Sequence, residues 1–550
     1  MYAACAAYER LIGVPMRELL NKGVTRRSFI GLAGGAAAVA GLGLAGCGGG
    51  DDAQGSAPAG GTKGGGVITA GSAYAPSSYD PYSTGSALCL GTNWHVLEGL
   101  YGIDYHDYST FPELATGDPE QVDETTYEIT IRDGAKYSDG TDVVASDAVT
   151  AFERVKEGGT YGSFMNPIAS IEAKDDKTVV VKTNVPNFGL LKDRLAIIRL
   201  CPASKSVEDL ASTPIGSGPW MYDEKSDTEV NLVPNPEYNG ELSPKDEKIT
   251  VSVLTDATAR VTSQQEGTTM VMEMVTADAV SQVENAGCHV DNVQGFGTRF
   301  MMFNIAKAPW DNVKVRQAVL YALDTEKMVS NAFDGLAASA TCYLPDSFTN
   351  YHEASVVYKT DADKAKELIK ESGITPGEIT LRTTDNEQVV NMATQVKEDL
   401  DALGFTVSIQ TDTSAATYAA IDGGEAYDLL LAPGDPSCFG GDTDLLLNWW
   451  FGDNVWMQTR CPWKESAEWQ ELNGLMTEAL GQEGDAQQET WNKCFDIVAE
   501  NAVLYPVVHV KTVTASWDDP SACPTGKAID GFKGIGTTGM SFLGCTTVSA

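Results

Sequence analysis

Histidine is scarce in this chain: five residues in 550, His95, His106, His289, His352 and His509, scattered and without an HExxH pair. No Cys/His cluster has zinc spacing, so a bound metal is not expected. Cations are also short, with 38 Lys and Arg against 76 Asp and Glu and a formal charge of −38. A nucleic-acid partner selects for a basic face, so DNA or RNA binding is not expected. There is no GxSxG, no CxxC, and no phosphate loop of the kind in which a helix follows with Lys-Ser/Thr. No acid–base dyad stands out either, so neither catalysis nor a cofactor is expected. Beyond the first 46 residues no run of 18 apolar residues occurs, so the remainder lacks a membrane-spanning stretch.

What the N-terminus does have is an address. Thr25-Arg26-Arg27-Ser28-Phe29-Ile30 is a twin-arginine pattern, followed by an uncharged Gly/Ala/Leu-rich stretch from Phe29 to Ala45. That stretch ends in Leu44-Ala45-Gly46-Cys47, which resembles a bacterial lipobox. In this order the three signals predict export, cleavage before Cys47 and lipidation of Cys47. Each buried CH₂ contributes about 0.8 kcal/mol, and a single acyl chain holds only marginally, so a stable anchor needs two or more. Residues 47–66, rich in Gly, Ala, Ser and Asp, then read as a flexible tether. A retained transmembrane anchor is the rival reading, and Met16 is a rival start to Met1. The expected location is extracytoplasmic, on the outer face of the cell membrane.

Nine cysteines follow Cys47: Cys89, Cys201, Cys288, Cys342, Cys438, Cys461, Cys494, Cys523 and Cys545. The number is odd, so at least one is unpaired or pairs between molecules. Export permits disulfides, spacing gives no connectivity, and buried free thiols are the expectation for several.

Periodicity supplies the elements. Phe300–Ile305 reads as a short buried strand, followed by a helix in which Val315, Val319, Leu320 and Leu323 share a face. Asp311 or Asn312 caps it, and Arg316 and Gln317 lie on its polar side. Earlier, Val67–Tyr74 reads as a strand and 92–101 as a helix. Thr125–Arg132 alternates as a half-buried strand, and Ser146 is the expected N-cap of the next helix. Residues 229–235, 248–254 and 269–274 read as strands, with a helix at Asp256–Glu266. Later, helix 361–372 stops at Gly373. Strand Glu378–Arg382, helix Glu387–Leu403 and strand Phe405–Gln410 make a β-α-β unit, broken at Gly404. Strand 427–431, helix 489–500 and strand Tyr505–Val510 follow. Trp449, Trp450, Trp456, Trp463 and Trp469 crowd one stretch, and core packing is expected for most of them.

Two segments carry a resemblance. FNIAKAPWDNVKVRQAVLYALD, residues 303–324, is similar to the "FN…aPf.D.rVRqAl..AiD" segment of extracellular solute-binding proteins of family 5, the oligopeptide, dipeptide and nickel class serving ABC importers. LATGDPEQVDETTYEITIRDGAKYSDGTDVVASDAVTAFERV, residues 114–155, resembles a second and more specific block of that family. HVLEGLY at 95–101, PIGSGPW at 214–220 and DADKAKELIKES at 361–372 resemble further pieces. The resemblance covers nearly all of residues 67–540.

It implies an α/β, two-lobed periplasmic-binding-protein-like fold, type II, with the extra subdomain of the peptide-binding class and two hinge crossings. The expected division is 67–110, 213–301 and 506–550 for the core of lobe I, 111–212 for its extra subdomain and 302–505 for lobe II. The implied partners are a peptide or other small-molecule ligand, the permease subunits of an ABC importer, and the membrane through the lipid. The chain is expected to be a monomer.

Ligands of open α/β sheets sit outside the carboxyl ends of strands. That points to Arg382 and Thr384 after one strand, and to Ala432–Phe439, with Cys438 and Phe439, after another; Trp449 is a further candidate wall. YDLLLAPGDPSCF, residues 427–439, resembles the family segment in which an acidic residue holds a peptide's α-amino group, and the matching residue is Asp435. The aromatic usual before that aspartate is replaced by Ala432-Pro433-Gly434. A nickel chelate, haem, an opine or an oligosaccharide are alternative solutes, and an exported enzyme, a sensor or a chaperone lipoprotein are alternative classes.

Overall fold

Two long antiparallel strands, His289–Phe303 and Leu504–Ser516, pair along nearly their whole length and hold the molecule together. The structure, a computed structural model, describes residues 62–158 and 161–550. The signal, Cys47 and tether residues 47–61 therefore lie outside the described residues, while Thr62–Lys63, expected in the tether, is a short strand paired with Val548 and Ser549.

The two strands sit inside an eleven-stranded sheet. On one side of the pair come Leu429–Gly434, Glu378–Thr384 and Thr406–Asp412. On the other come Val271–Glu273, Val67–Ser72, Lys248–Val253, Glu229–Pro234 and Trp220–Lys225, while Ala337–Ser339 pairs with Leu504–Ser516 off that path. The neighbours attach at opposite ends. Leu429–Gly434 pairs with Thr298–Phe303, whereas Val271–Glu273 pairs with Thr514–Ser516, and the ladder of the long pair slips between Gln294 and Thr298. One continuous sheet thus gathers neighbours at both ends of the long pair, with an irregularity at Gly295-Phe296-Gly297 between them.

The strand expected at Phe300–Ile305 is the last part of this fifteen-residue strand. Its first part mixes polar with apolar residues and gives no clean period. The strand expected at Tyr505–Val510 likewise extends from Leu504 to Ser516. The β-α-β unit is present: Glu378–Thr384 and Thr406–Asp412 are parallel neighbours. The connecting helix Glu387–Ala402 buries Val389, Met392, Ala393, Val396 and Leu400. Gly404, at φ +106, turns the chain into the second strand.

Three local expectations are corrected. The helix expected over 92–101 occupies Ala87–Val96, because Ser86 caps it by accepting from the Cys89 backbone N–H. Its expected C-terminal part is drawn into a bridge between Gly99 and Arg199. Ser146 lies inside the helix Ala145–Glu157 rather than capping it; the carboxylate of Asp147 accepts from the Val144 N–H at 3.0 Å. Arg316 is buried, 4% exposed, and donates to the carbonyls of Asn501 and Trp310. The end of helix Gly484–Asn501 leaves carbonyls without intrahelical donors, and a guanidinium satisfies one. Asn312 is the cap of the helix Val313–Ala322, as one of the two residues expected.

A separate antiparallel sheet orders Glu120–Asp123, Thr126–Thr130, Thr178–Thr183 and Ile168–Ala173. Tyr127 and Ile129 are buried on one face. The nine cysteines of the described residues are all free and buried. Burial pushes several thiols up, Cys288 to about 11 and Cys201 to about 12, so they are poor nucleophiles. Trp450, Trp456, Trp463 and Trp469 are buried, and Trp449 is partly exposed. No helix among the described residues is long and apolar enough to cross a membrane.

Candidate functional site

Strand Leu429–Gly434 runs three residues past the expected end of YDLLL, and its last residues meet the site. Asp435 follows and caps a short 3-10 turn, Pro436–Phe439. One carboxylate oxygen accepts from the Ser437 N–H at 3.1 Å and the Ser437 hydroxyl at 2.6 Å. The other accepts from the Thr538 N–H at 3.2 Å. Thr538 reaches this point from near the C-terminus, so Asp435 lies where distant parts of the chain meet. Burial pushes its carboxyl up to about 6, against the pull of the Ser437 donors, the Thr538 N–H and Arg299.

The turn after Asp435 packs on the first half of the chain. Tyr108 donates to the Ser437 hydroxyl at 3.0 Å, and Tyr105 donates to the Cys438 carbonyl at 3.1 Å. The ring of Phe439 lies 4.8 Å from Tyr161, 5.6 Å from Phe164 and 5.5 Å from Trp449, centroid to centroid. Beside Phe439, Trp94, Ile103, Tyr105, Arg199 and Cys438 help to enclose a cavity of about 30 Å³. That space has room for about two waters, so a solute enters this part only when the two walls separate.

Below the aromatic layer is an ion cluster. Arg194, fully buried, donates to Asp442 at 2.9 and 3.0 Å and to Asp444 at 2.6 Å. Asn448 also donates to Asp444, at 2.8 Å. Burial pushes the Asp444 carboxyl up to about 7 in spite of Arg194, and neighbouring Asp442 adds to the rise. Asp193 is pushed up to about 6, also by burial and then by Asp442.

The structure brings Asp435, Cys438, Phe439 and Trp449 into one region. Arg382 and Thr384 stand apart from it. Arg382 forms an ion pair with Glu425, and Thr384 is buried at the end of its strand. Thr383 pairs with Leu431, so that strand stops short of Asp435. Sequence reasoning missed Thr538, Tyr105, Tyr108 and Arg194, which carry no local signal of a site. Arg299 did carry one, a charged residue leading into the apolar run Phe300–Phe303. Among the described residues no group of three or more His, Cys, Asp or Glu is placed to hold a metal ion. The two buried histidines are structural. The Phe542 N–H donates to Nε2 of His95, and burial pushes His95 and His509 down to about 4.

Two lobes joined by paired strands are an architecture that holds a solute between them. Solved structures agree on the fold. The binding protein DppA from Helicobacter pylori, in complex with the peptide STSA, superposes with a TM-score of 0.77 at 20% identity, covering 89% of this chain and 99% of that one. The binding protein AgaA of A. tumefacien R10, in complex with agropinic acid, gives 0.75 at 21% identity, with 86% and 96% covered. These are periplasmic binding proteins of the two-lobed type II fold.

Residues 110–463 match the family of bacterial extracellular solute-binding proteins, family 5 Middle, and the chain belongs to that family. The glutathione-binding protein GsiB of Salmonella typhi is 26% identical over 480 residues, 84% of this chain and 91% of that protein. Heme-binding protein A of Haemophilus influenzae is 26% identical over 455 residues, 74% and 80% respectively. The protein is therefore a solute-binding component of the ABC-importer type.

Proposed function

We propose that this protein captures a short peptide between its two lobes and delivers it to the membrane permease of an ABC importer. The observation that carries the reading is Asp435: a carboxylate between lobes, held by N–H and O–H donors and with no lysine or arginine in ion-pair contact among the described residues. It is ready to receive the α-ammonium of a peptide. The relatives named for glutathione and for a bound peptide support the peptide class. Cys438, Phe439 and Trp449 form the neighbouring wall, and Arg382 and Thr384 are kept as outer contributors from the adjacent strand end.

The division into lobe I (67–110, 213–301 and 506–550), extra subdomain (111–212) and lobe II (302–505) belongs to the same proposal. So do the twin-arginine signal, anchoring by lipidated Cys47 on the outer face of the cell membrane, a monomeric state, the permease partner, and the absence of chemistry on the solute. The slip at Gly295-Phe296-Gly297 supports hinge crossings near that point.

The test is native mass spectrometry of the full chain purified gently in detergent from its own host, followed by denaturing release of its cargo. A ladder of short peptides is expected. A single defined non-peptide mass overturns the peptide assignment and keeps the solute-binding one. A turnover assay on a peptide library separates binder from enzyme: cleaved products would overturn the purely binding role.

A further inference from the structure

We propose that Arg299 receives the carboxylate of the solute, so that the cleft selects a short zwitterion with its ammonium at Asp435 and its carboxylate at Arg299. This deepens the peptide reading and rests on it.

Arg299 lies in the strand His289–Phe303 and is 5% exposed, next to Phe300–Phe303, which are fully buried. A guanidinium in such surroundings is costly unless an anion neutralises it. Its own contacts do not. One Nη donates to the Thr298 carbonyl at 2.8 Å, the other to the side-chain carbonyl of Gln388, and Nε has no partner. Among the described residues no carboxylate lies in ion-pair contact with it. Burial accordingly pushes Arg299 down to about 10, with Tyr74 and Asp435 acting weakly in the other direction.

The unpaired aspartate is on the same wall. Thr298 pairs with Gly434 and Arg299 with Pro433, so Asp435 is the next residue along the neighbouring strand. A Cβ built on Gly297 would stand 3.9 Å from a carboxylate oxygen of Asp435. Gly297 and Arg299 are two apart on one strand and share a face, about 7 Å from each other along it. An anion and a cation are thus held side by side without touching. Tyr74, which follows the strand Val67–Ser72, is close enough to feel both charges.

The free Nε and the Nη that meets only a neutral amide form one edge of the guanidinium, the geometry that takes a carboxylate through two parallel hydrogen bonds. Gln388 is a side-chain amide at the start of the helix Glu387–Ala402, and a rotamer change releases it. A short peptide places its two termini a few ångströms apart and satisfies both groups at once.

The test is calorimetric titration of the full chain with a series of alanyl peptides, two to five residues long, each as free acid and as C-terminal amide. The wild type is expected to prefer the free acid of its best length by about tenfold or more, the scale of a lost charge-assisted pair. Arg299→Gln is expected to bind acid and amide within threefold of each other, and Arg299→Lys to keep part of the preference. Equal binding of acid and amide by the wild type overturns this inference alone and needs no variant. Full preference persisting in a folded Arg299→Gln protein also overturns it. A wild type that binds no peptide of either form overturns the peptide reading, and this inference with it.

Discussion

Arg194 and Arg299 are both buried arginines near the line where the lobes meet, and they are treated in opposite ways. Arg194 meets Asp442 through both of its terminal nitrogens and Asp444 through one, all within 3.0 Å. Arg299 has only neutral acceptors, while Asp435 waits on the same wall. A complete buried ion cluster fixes one arrangement and is damaged badly by loss of a member. An incomplete one is a cost that a ligand can remove, because the charges are already desolvated and aimed. The first holds its segments together; the second, on the proposal above, is a device for accepting a solute.

The largest effect that tests this contrast is on stability. Arg194→Ala leaves two carboxylates buried without their cation, and should cost about 3–5 kcal/mol. Arg299→Ala removes no ion pair and should cost clearly less, about 1–2 kcal/mol. Denaturant melts of the solute-free protein measure both, and equal losses would break the comparison.

The next effect is on binding. Asp435→Asn keeps the side chain's shape but removes its charge, and should weaken solute binding by about 2–5 kcal/mol in titration calorimetry. Its effect on the solute-free fold has the opposite sign. Burial raises the Asp435 carboxyl from its ordinary 3.8 to about 6. The folded state then binds a proton more tightly than the unfolded state. The contribution of this group is present below about pH 4 and is lost as pH rises through 6. The Asn variant should therefore gain on the wild type between pH 4 and pH 7 in urea melts. A constant difference across that range would show that the carboxylate is not held in an unfavourable place.

A smaller effect concerns the C-terminal segment that brings Thr538 to Asp435. A Cβ on Gly295 would lie 1.6 Å from the Gly536 carbonyl oxygen, backbone against backbone. Gly295→Ala should push the two segments apart, lowering stability by about 1–3 kcal/mol. It should also weaken solute binding by loosening the Thr538 contact. Unchanged binding would mean that this contact does not shape the site. The smallest effect belongs to Cys438→Ala. The Cys438 side chain donates only to the Asp435 carbonyl, at 3.5 Å, so its loss should cost about 1 kcal/mol or less and leave solute affinity within threefold. A tenfold loss would move Cys438 from packing to ligand contact.

Much of the scaffold was legible in advance. Val389, Met392, Val396 and Leu400 recur at helical spacing, Gly373 and Gly404 stop their helices, and the parallel strands on either side of Glu387–Ala402 follow. The misplacements share one cause. Ser86 and Asp147 act as caps through hydrogen bonds fixed only once the preceding backbone is in place, and Arg316 is buried because a distant helix end needs a donor. Apolar periodicity does not register either condition. At the site, the end of the expected strand 427–431 pointed to Ala432–Phe439, and the resemblance singled out Asp435 and suggested its role. Arg299 was visible only as a polar intruder in an apolar strand.

The sequence by itself determined many of the elements, their order and the family, because these depend on local periodicity, capping residues and motifs of contiguous residues. Only the tertiary structure decided which charges are paired. Arg194 reaches Asp442 across 248 residues of chain, and Thr538 reaches Asp435 across 103. Strand pairing sets Arg299 opposite Pro433, and so near the carboxylate of Asp435. Such proximities arise because the chain crosses between lobes twice and returns at its C-terminus. Whether a buried charge is neutralised there or left for a ligand depends on ångström distances that no stretch of neighbouring residues encodes.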